Sequence, residues 1–378
     1  MIYFDNAATS FPKPHAVLQA SAKCMKSYCG NPGRSSHKLS LAAAEKIYDC
    51  RVELSELFGS PLPERVVFTY NTTYALNMAI KSTVQTGDHI LISELEHNSV
   101  LRPIASLHSR GIADYDVFHV VGKTDDEIID DIRSRLRSNT RLLVCTHASN
   151  ICAIKLPIDR IGALCKKLGV IFIVDAAQSA GIYDINMEKM NIDILCAPGH
   201  KSLYGPQGTG FAIFSEQLSP NTFIEGGNGI SSKEKGMPDE LPEHFEAGTL
   251  ATPAIAGLYE GIRYIRSIGL ETIRQKEVSL GARFVEMLSS INGITIYARD
   301  LIGSTVLFNV NEISSERICA GLDRQGICLR GGFHCSPLAH SALGTGENGA
   351  VRASFGIFNT FDEIELFYKR LKETVFTA

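Results

Sequence analysis

Residues 170–177 read VIFIVDAA: five apolar residues, four of them β-branched, that run without interruption into a carboxylate and two alanines. A strand with one wet face alternates apolar and polar side chains. An unbroken run is expected instead where helices cover both faces of a mostly parallel sheet. Six more short runs, several of them nearly as continuous, surround it between about residues 65 and 215: RVVFT (65–69), HILIS (89–93), DYDVFHVV (114–121), RLLVCTHA (141–148), IDILCA (192–197) and FAIF (211–214). Helical patterns separate them, so the spacing predicts an α/β domain. After about 253 the pattern changes to two helical stretches, 253–268 and 270–291. The short runs TVLFNV, ICLR and AVRASF and a final helix follow, which together predict a smaller α+β domain. Between the two parts, residues 219–247 are rich in Gly, Pro, Ser and charge and read as a long loop. There is no internal repeat and no low-complexity tract.

The bulk composition narrows the function classes. With 378 residues, 44% apolar and 21% charged, the chain has material for more than one core, and a net charge of −4 argues against nucleic acid or a membrane as partner. The opening MIYFDNAATSFPKP has no basic leader and no long apolar run, and later apolar stretches fall short of a membrane span, so a cytoplasmic location is expected. The 10 cysteines include no C-x-x-C pair and no zinc-like spacing, so they are expected to be reduced and no metal site is expected. Asn71-Thr72-Thr73 matches a glycosylation sequon that a cytoplasmic chain would not expose to the modifying machinery.

In open α/β sheets ligands bind beyond the carboxyl ends of the strands, so the residues that follow each run carry the information. Thr72 and Thr73 follow RVVFT at a helix start, where hydroxyls and free N–H groups can cradle a phosphate or simply cap the helix. His97 follows LISELE, and Asn150 follows VCTHAS. Asp175, followed by Gln178, ends an apolar strand where a carboxylate is costly to bury without a cation or donor. It either caps the next turn or faces a protonated ring nitrogen such as that of pyridoxal phosphate. Lys201, in PGHKSLYGPQGTG, is either a surface lysine or an amine desolvated enough to form a Schiff base. The stretch GGFHCSPLAH (331–340) places Cys335 on a loop between His334 and Ser336. Most cysteines are small buried hydrophobes, but a loop with polar flanks is where a reactive thiol would sit.

Taken in order along nearly the whole chain, YFDNAATSFPKP, NPGRSSHKLS, ELEHNS, HASN, DAAQSAG, GHKSLYGPQGTG, EAGTLATPAIAGL, RGGFHCSPLAH and VRASFGIFNTFDEI resemble the class V, fold-type I pyridoxal-phosphate enzymes. Within them the resemblance is to the cysteine desulfurases and selenocysteine lyases. It implies a large domain with a mostly parallel, mixed seven-stranded sheet over residues 14–258. It also implies a smaller α+β domain from 1–13 and 259–378 that carries the cysteine loop. Carried over residue by residue, Lys201 resembles the Schiff-base lysine, Asp175 the pyridinium partner, His97 the imidazole stacked on the ring, and Gln178 the donor to the phenolic oxygen. Thr72, Thr73 and His200 resemble phosphate ligands, and Thr249 the one supplied by the second subunit of a homodimer. Asn150 and Arg352, with Arg330 nearby, resemble the holders of the substrate carboxylate, and Cys335 the nucleophile that takes sulfur from L-cysteine.

Two positions depart from the family pattern: Pro198 stands where many relatives have Ser, and Ala251 where Asn is common, so the phosphate has fewer expected donors. The few residues between Cys335 and Arg352 resemble the group with a short cysteine loop, which implies a dedicated sulfur-acceptor protein. Selenocysteine lyase is the nearest alternative, with L-selenocysteine as substrate. A class V aminotransferase and a non-catalytic sulfur-relay partner are more distant ones.

Overall fold

A computed structural model describes residues 1–33, 37–230, 232–311 and 313–376, with the side chains of the last two of these left aside. Arg34, Ser35 and Ser36 of the NPGRSSHKLS stretch lie outside the described residues, as does Ser231 in the long loop. Twelve strands are described: β1 (Ile2–Tyr3), β2 (Val66–Thr69), β3 (Asp88–Ser93), β4 (Ala113–Phe118), β5 (Thr140–Thr146), β6 (Ile171–Asp175), β7 (Ile194–Pro198), β8 (Gly210–Phe214), β9 (Ile294–Tyr297), β10 (Thr305–Val310), β11 (Ile327–Cys328) and β12 (Val351–Ser354).

Each of the seven apolar runs forms one strand of a single seven-stranded sheet, ordered β2-β8-β7-β6-β5-β3-β4. Only β8 runs antiparallel to its neighbours, and every other pairing is parallel. The central strands are buried along their whole length, as continuous apolar sequence requires. Helices pack on both faces and create two apolar layers. One contains Leu143, Phe172 and Val174, and the other contains Leu142, Ile171 and Ile173.

The smaller α+β unit is an antiparallel sheet ordered β12-β10-β9, covered by the helices Leu270–Ser289, Ser315–Asp323 and Phe361–Phe376. Its core is aromatic: Phe4, Phe284, Phe308, Phe355 and Phe367 meet mostly edge to face. The run ICLR does not join this sheet. Its strand β11 instead pairs in parallel with β1, which ties the N-terminal segment to the smaller unit. The expected helices are found at Thr252–Ile268 and Leu270–Ser289. The first of these continues past residue 258 with Ile262 and Ile265 still in the large core. No helix or strand interrupts the described part of 219–247.

The topology brings β2, β3, β5, β6 and β7 to one edge by their carboxyl ends, because these strands are mutually parallel. Thr146, Asp175 and Pro198 are the last residues of β5, β6 and β7. Gly210 lets β8 pass directly under the turn that follows β2, since a Cβ there would come within 2.5 Å of the Asn71 backbone.

Candidate active site

Beyond this edge lies a cleft of about 190 Å³, lined by Thr72, Thr73, His97, Asn150, Asp175, Gln178, His200 and Lys201 among others. Eight residues singled out from the sequence therefore meet in one place. Thr72 and Thr73 open the helix Thr72–Thr83, whose N-cap Asn71 accepts from Tyr74 N–H through its side chain. The backbone N–H groups of Thr72 and Thr73 have no partner among the described residues, as the first turn of a helix leaves them. Thr72 Oγ1 is buried without a partner as well. Three unmatched donors at a helix start are a ready site for an anion.

His97 is itself the N-cap of the helix Asn98–Ser109, and its Nδ1 accepts from Ser99 N–H at 3.1 Å. The neutral ring must then carry its proton on Nε2. Ser99 Oγ is 2.8 Å from His97 Nδ1 and 2.7 Å from Thr73 Oγ1, so one hydroxyl links the imidazole to the helix start. Burial, then the Lys201, Arg330 and Arg352 charges, hold His97 down to about 4, so it is neutral at pH 7.

Asp175 is 3% exposed at the end of β6. Its Oδ1 accepts from Ala177 N–H at 2.9 Å, and burial raises its pKa despite the opposing pull of Lys201. Lys201 follows β7 in a half-buried turn, and desolvation depresses its ammonium to about 8. No carboxylate among the described residues lies within ion-pairing distance of it. Gln178 donates to the Ala7 carbonyl at 3.0 Å. The N-terminal segment clasps the same turn: Thr9 Oγ1, Ser10 N–H and Lys13 Nζ all donate to the His200 carbonyl, at 3.0, 3.2 and 2.6 Å.

The carboxylate-binding candidates stand beside the cleft. Arg352, on β12, is 2% exposed. It donates through Nη1 to the Asn150 carbonyl at 2.9 Å and through Nη2 to Asp5 at 2.6 Å, while its Nε is buried without a partner among the described residues. Asn150 is not free: its Nδ2 donates to the His334 carbonyl at 2.9 Å and its Oδ1 accepts from Ser336 at 2.7 Å. Its side chain thus holds the cysteine loop. Arg330 is exposed and pairs through its backbone with Arg352.

Cys335 is one of two exposed cysteines, the other being Cys29. Its carbonyl accepts from Asn98 N–H at 2.7 Å, which places the loop on the cleft rim beside His97. His334 and Cys335 both adopt left-handed backbone, with φ of 50° and 58°. For residues with a Cβ this costs about 1–2 kcal/mol each. Thr249 is exposed and does not line the cleft of its own chain, where Asn31 Nδ2 reaches it at 3.4 Å. Pro198 lines the cleft, and Ala251 is the uncapped start of Thr252–Ile268.

A family model described as Aminotransferase class-V matches residues 2–367. The chain belongs to the aminotransferase class-V family. Among class-V relatives, a probable cysteine desulfurase of Methanothermobacter thermautotrophicus is 32% identical over 384 residues, spanning 98% of this chain and 94% of the relative. One of Pyrococcus abyssi is 32% identical over 389 residues, spanning 99% and 94%. The solved apo structure of a cysteine desulfurase from Thermococcus onnurineus NA1 superposes with a TM-score of 0.90 at 32% identity, covering 100% of this chain and 95% of that one. The family and its fold imply pyridoxal phosphate as cofactor.

Sequence reasoning had passed over several contributors to this class-V site. Asp5, Thr9, Ser10 and Lys13 all lie in the DNAATSFPKP stretch, so their motif was visible while their contacts were not. Ser99 stands two residues after His97, and His340 and Thr345 follow Cys335. Nothing in the local sequence distinguishes these from ordinary polar residues.

Proposed function

We propose that the protein is a pyridoxal-phosphate-dependent cysteine desulfurase that moves the sulfur of L-cysteine onto Cys335 and releases L-alanine. The observation that carries this is an exposed Cys335 whose backbone is bonded to the turn after His97, on the rim of a cleft containing Lys201 and Asp175. The residues present fit the cofactor. The unmatched Thr72 hydroxyl and the Thr72 and Thr73 N–H groups, with His200, suit its phosphate. Buried Asp175 suits its protonated ring nitrogen, half-buried His97 its flat face, Gln178 its phenolic oxygen, and the depressed amine of Lys201 its aldehyde. When bound, the cofactor withdraws electrons from the substrate and weakens its carbon–sulfur bond.

Arg352, with Arg330 beside it, is the cationic partner for the substrate carboxylate, and Asn150 holds both Arg352 and the loop of Cys335. The Cys335 thiolate attacks the substrate sulfur. A sulfur–sulfur bond forms as the carbon–sulfur bond breaks, its electron pair stays on carbon, and that carbon takes a proton to become alanine. An enzyme persulfide remains, which an exposed loop can present to a sulfur-acceptor protein. Lys201, with a pKa of about 8, can both give and take a proton near neutral pH.

The same reading has the chain act as a homodimer, in which exposed Thr249 of one subunit completes the phosphate site of the other. It divides the chain into residues 14–258 and a smaller unit of 1–13 and 259–378 that carries the Cys335 loop, with the helix Thr252–Ile268 crossing the division. All ten cysteines are free, which supports a reducing cytoplasmic location, and no described helix is long and apolar enough to cross a membrane. The test is brief exposure of the purified protein to L-cysteine or L-selenocysteine, followed by peptide mass spectrometry. An added sulfur on GGFHCSPLAH, lost in Cys335→Ser together with alanine formation, is expected with L-cysteine. Alanine formed while another cysteine carries the sulfur would sink the assignment. Turnover confined to selenocysteine would make the protein a lyase.

A further inference from the structure

The loop that carries Cys335 needs an external support, because two consecutive residues with side chains, His334 and Cys335, hold left-handed backbone. Part of that support is a chain of buried side chains beneath it. His334 Nε2 lies 3.0 Å from the Arg330 carbonyl, His334 Nδ1 lies 3.1 Å from His340 Nε2, and His340 Nδ1 lies 2.8 Å from Thr345 Oγ1. His334, His340 and Thr345 are 4%, 1% and 5% exposed.

The carbonyl at the end of the chain determines every donor in it. A carbonyl only accepts, so His334 Nε2 carries the proton. The neutral ring then offers Nδ1 as an acceptor, which obliges His340 Nε2 to donate. His340 Nδ1 is left to accept from the Thr345 hydroxyl. Burial, reinforced by the Arg352 charge, holds His334 down to about 3 and His340 to about 4, so both rings are neutral at pH 7 as this pattern requires.

The same Arg330 carbonyl also accepts from Arg352 N–H at 2.8 Å. One oxygen therefore terminates both the chain beneath the thiol loop and the strand that bears the buried guanidinium. A second tie runs through Asn150, which holds the His334 carbonyl with its side chain and Arg352 Nη1 with its own carbonyl.

We propose that His340 is a positioning residue: through His334 and the Arg330 carbonyl it holds the Cys335 turn in register with Arg352, and hence the attacking thiol in register with the substrate. This rests on the desulfurase reading. Without the His340 donor, His334 Nδ1 is buried and unmatched, its ring loses its orientation, and the left-handed turn loses one of its supports. His340 touches neither substrate nor cofactor in this arrangement, so its effect falls on the sulfur-transfer step rather than on substrate capture.

The test compares His340→Phe, which fills the space without hydrogen bonds, with His340→Gln, whose amide can both donate to His334 and accept from Thr345. Holoenzyme is assayed for alanine formation, cofactor content, thermal unfolding and hydrogen exchange of residues 333–336. His340→Phe should lower kcat by about tenfold to a hundredfold with KM and cofactor content little changed, as expected for a misplaced nucleophile. His340→Gln should stay within about threefold of the unmodified enzyme. The Ser336 amide, which donates to the Phe333 carbonyl, should exchange faster in the Phe variant only. An unchanged kcat in His340→Phe would overturn the proposal, as would equal losses in both variants that follow cofactor content or melting temperature. The exchange measurement needs no turnover: slower alanine formation with unaltered exchange rejects the positioning role. Faster exchange in an enzyme inactive on L-cysteine supports it while rejecting the desulfurase reading.

Discussion

Replacing Lys201 by Met should abolish turnover and, in the cofactor-free protein, raise stability. The turn after β7 half-buries an ammonium with no carboxylate among the described residues within ion-pairing distance. Desolvation is the main reason its pKa falls from the ordinary 10.5 to about 8. At about 1.36 kcal/mol per pH unit, that fall corresponds to a penalty of about 3 kcal/mol for holding the charged amine in the folded state at pH 7. Met keeps the apolar stem and removes the charge. Asp175, however, loses a favourable neighbour, so about 2–3 kcal/mol of net stabilisation is expected.

The sign of the pH dependence follows from proton counting. Between about 8 and 10.5 the unfolded wild-type chain binds more protons at this lysine than the folded one, so wild-type stability rises with pH across that window. Below it both states are protonated and the advantage of Lys201→Met is constant, while through the window the advantage shrinks towards zero. Urea unfolding of both cofactor-free proteins at pH 7, 8, 9 and 10 measures this directly. Equal stabilities at pH 7, or a gap that does not close at alkaline pH, would refute the desolvated-amine argument.

Arg352→Ala should raise the KM for L-cysteine about tenfold to a hundredfold, the value of a charge-assisted hydrogen bond of about 1.5–3 kcal/mol, while cofactor content stays near normal. A normal KM with lost cofactor would make the residue structural. Arg51 and Glu246 pair at 2.5 Å with both side chains 7% exposed, and Glu246 also accepts from Phe68 N–H. Arg51→Ala should therefore destabilise by about 3–5 kcal/mol in urea, and a loss below about 1 kcal/mol would show that Glu246 finds another partner. Iodoacetamide under native conditions should modify Cys29 and Cys335 first, as the two exposed cysteines, with comparably fast labelling at buried Cys145 or Cys196 counting against the fold.

The strands of the large sheet were legible because burial on both faces leaves a local imprint. Most runs from RVVFT to FAIF are nearly continuous in apolar residues, DYDVFHVV on the half-exposed edge being the mixed one, and each became a strand of one sheet. The half-exposed pieces were less visible. β9 and the two-residue β1 are too short or too mixed to show a period, and β11 pairs with the distant β1 instead of the neighbouring sheet. No local pattern encodes a partner hundreds of residues away.

The site divides along the same line. Asp175, His97, Lys201 and the Thr72-Thr73 pair could be singled out because strand ends in an α/β sheet converge on one edge, and a polar group ending an apolar strand is conspicuous in the sequence itself. Only the folded chain showed that Asn150 spends its amide on the cysteine loop, that Asp5 pairs with Arg352, and that His340 reaches His334 beneath the thiol. Chemical type and strand position are properties of a residue and its immediate neighbours. Hydrogen-bond direction, burial and charge pairing belong to groups that meet only after β12, the N-terminal segment and the large sheet have packed together, and there tertiary structure alone decided.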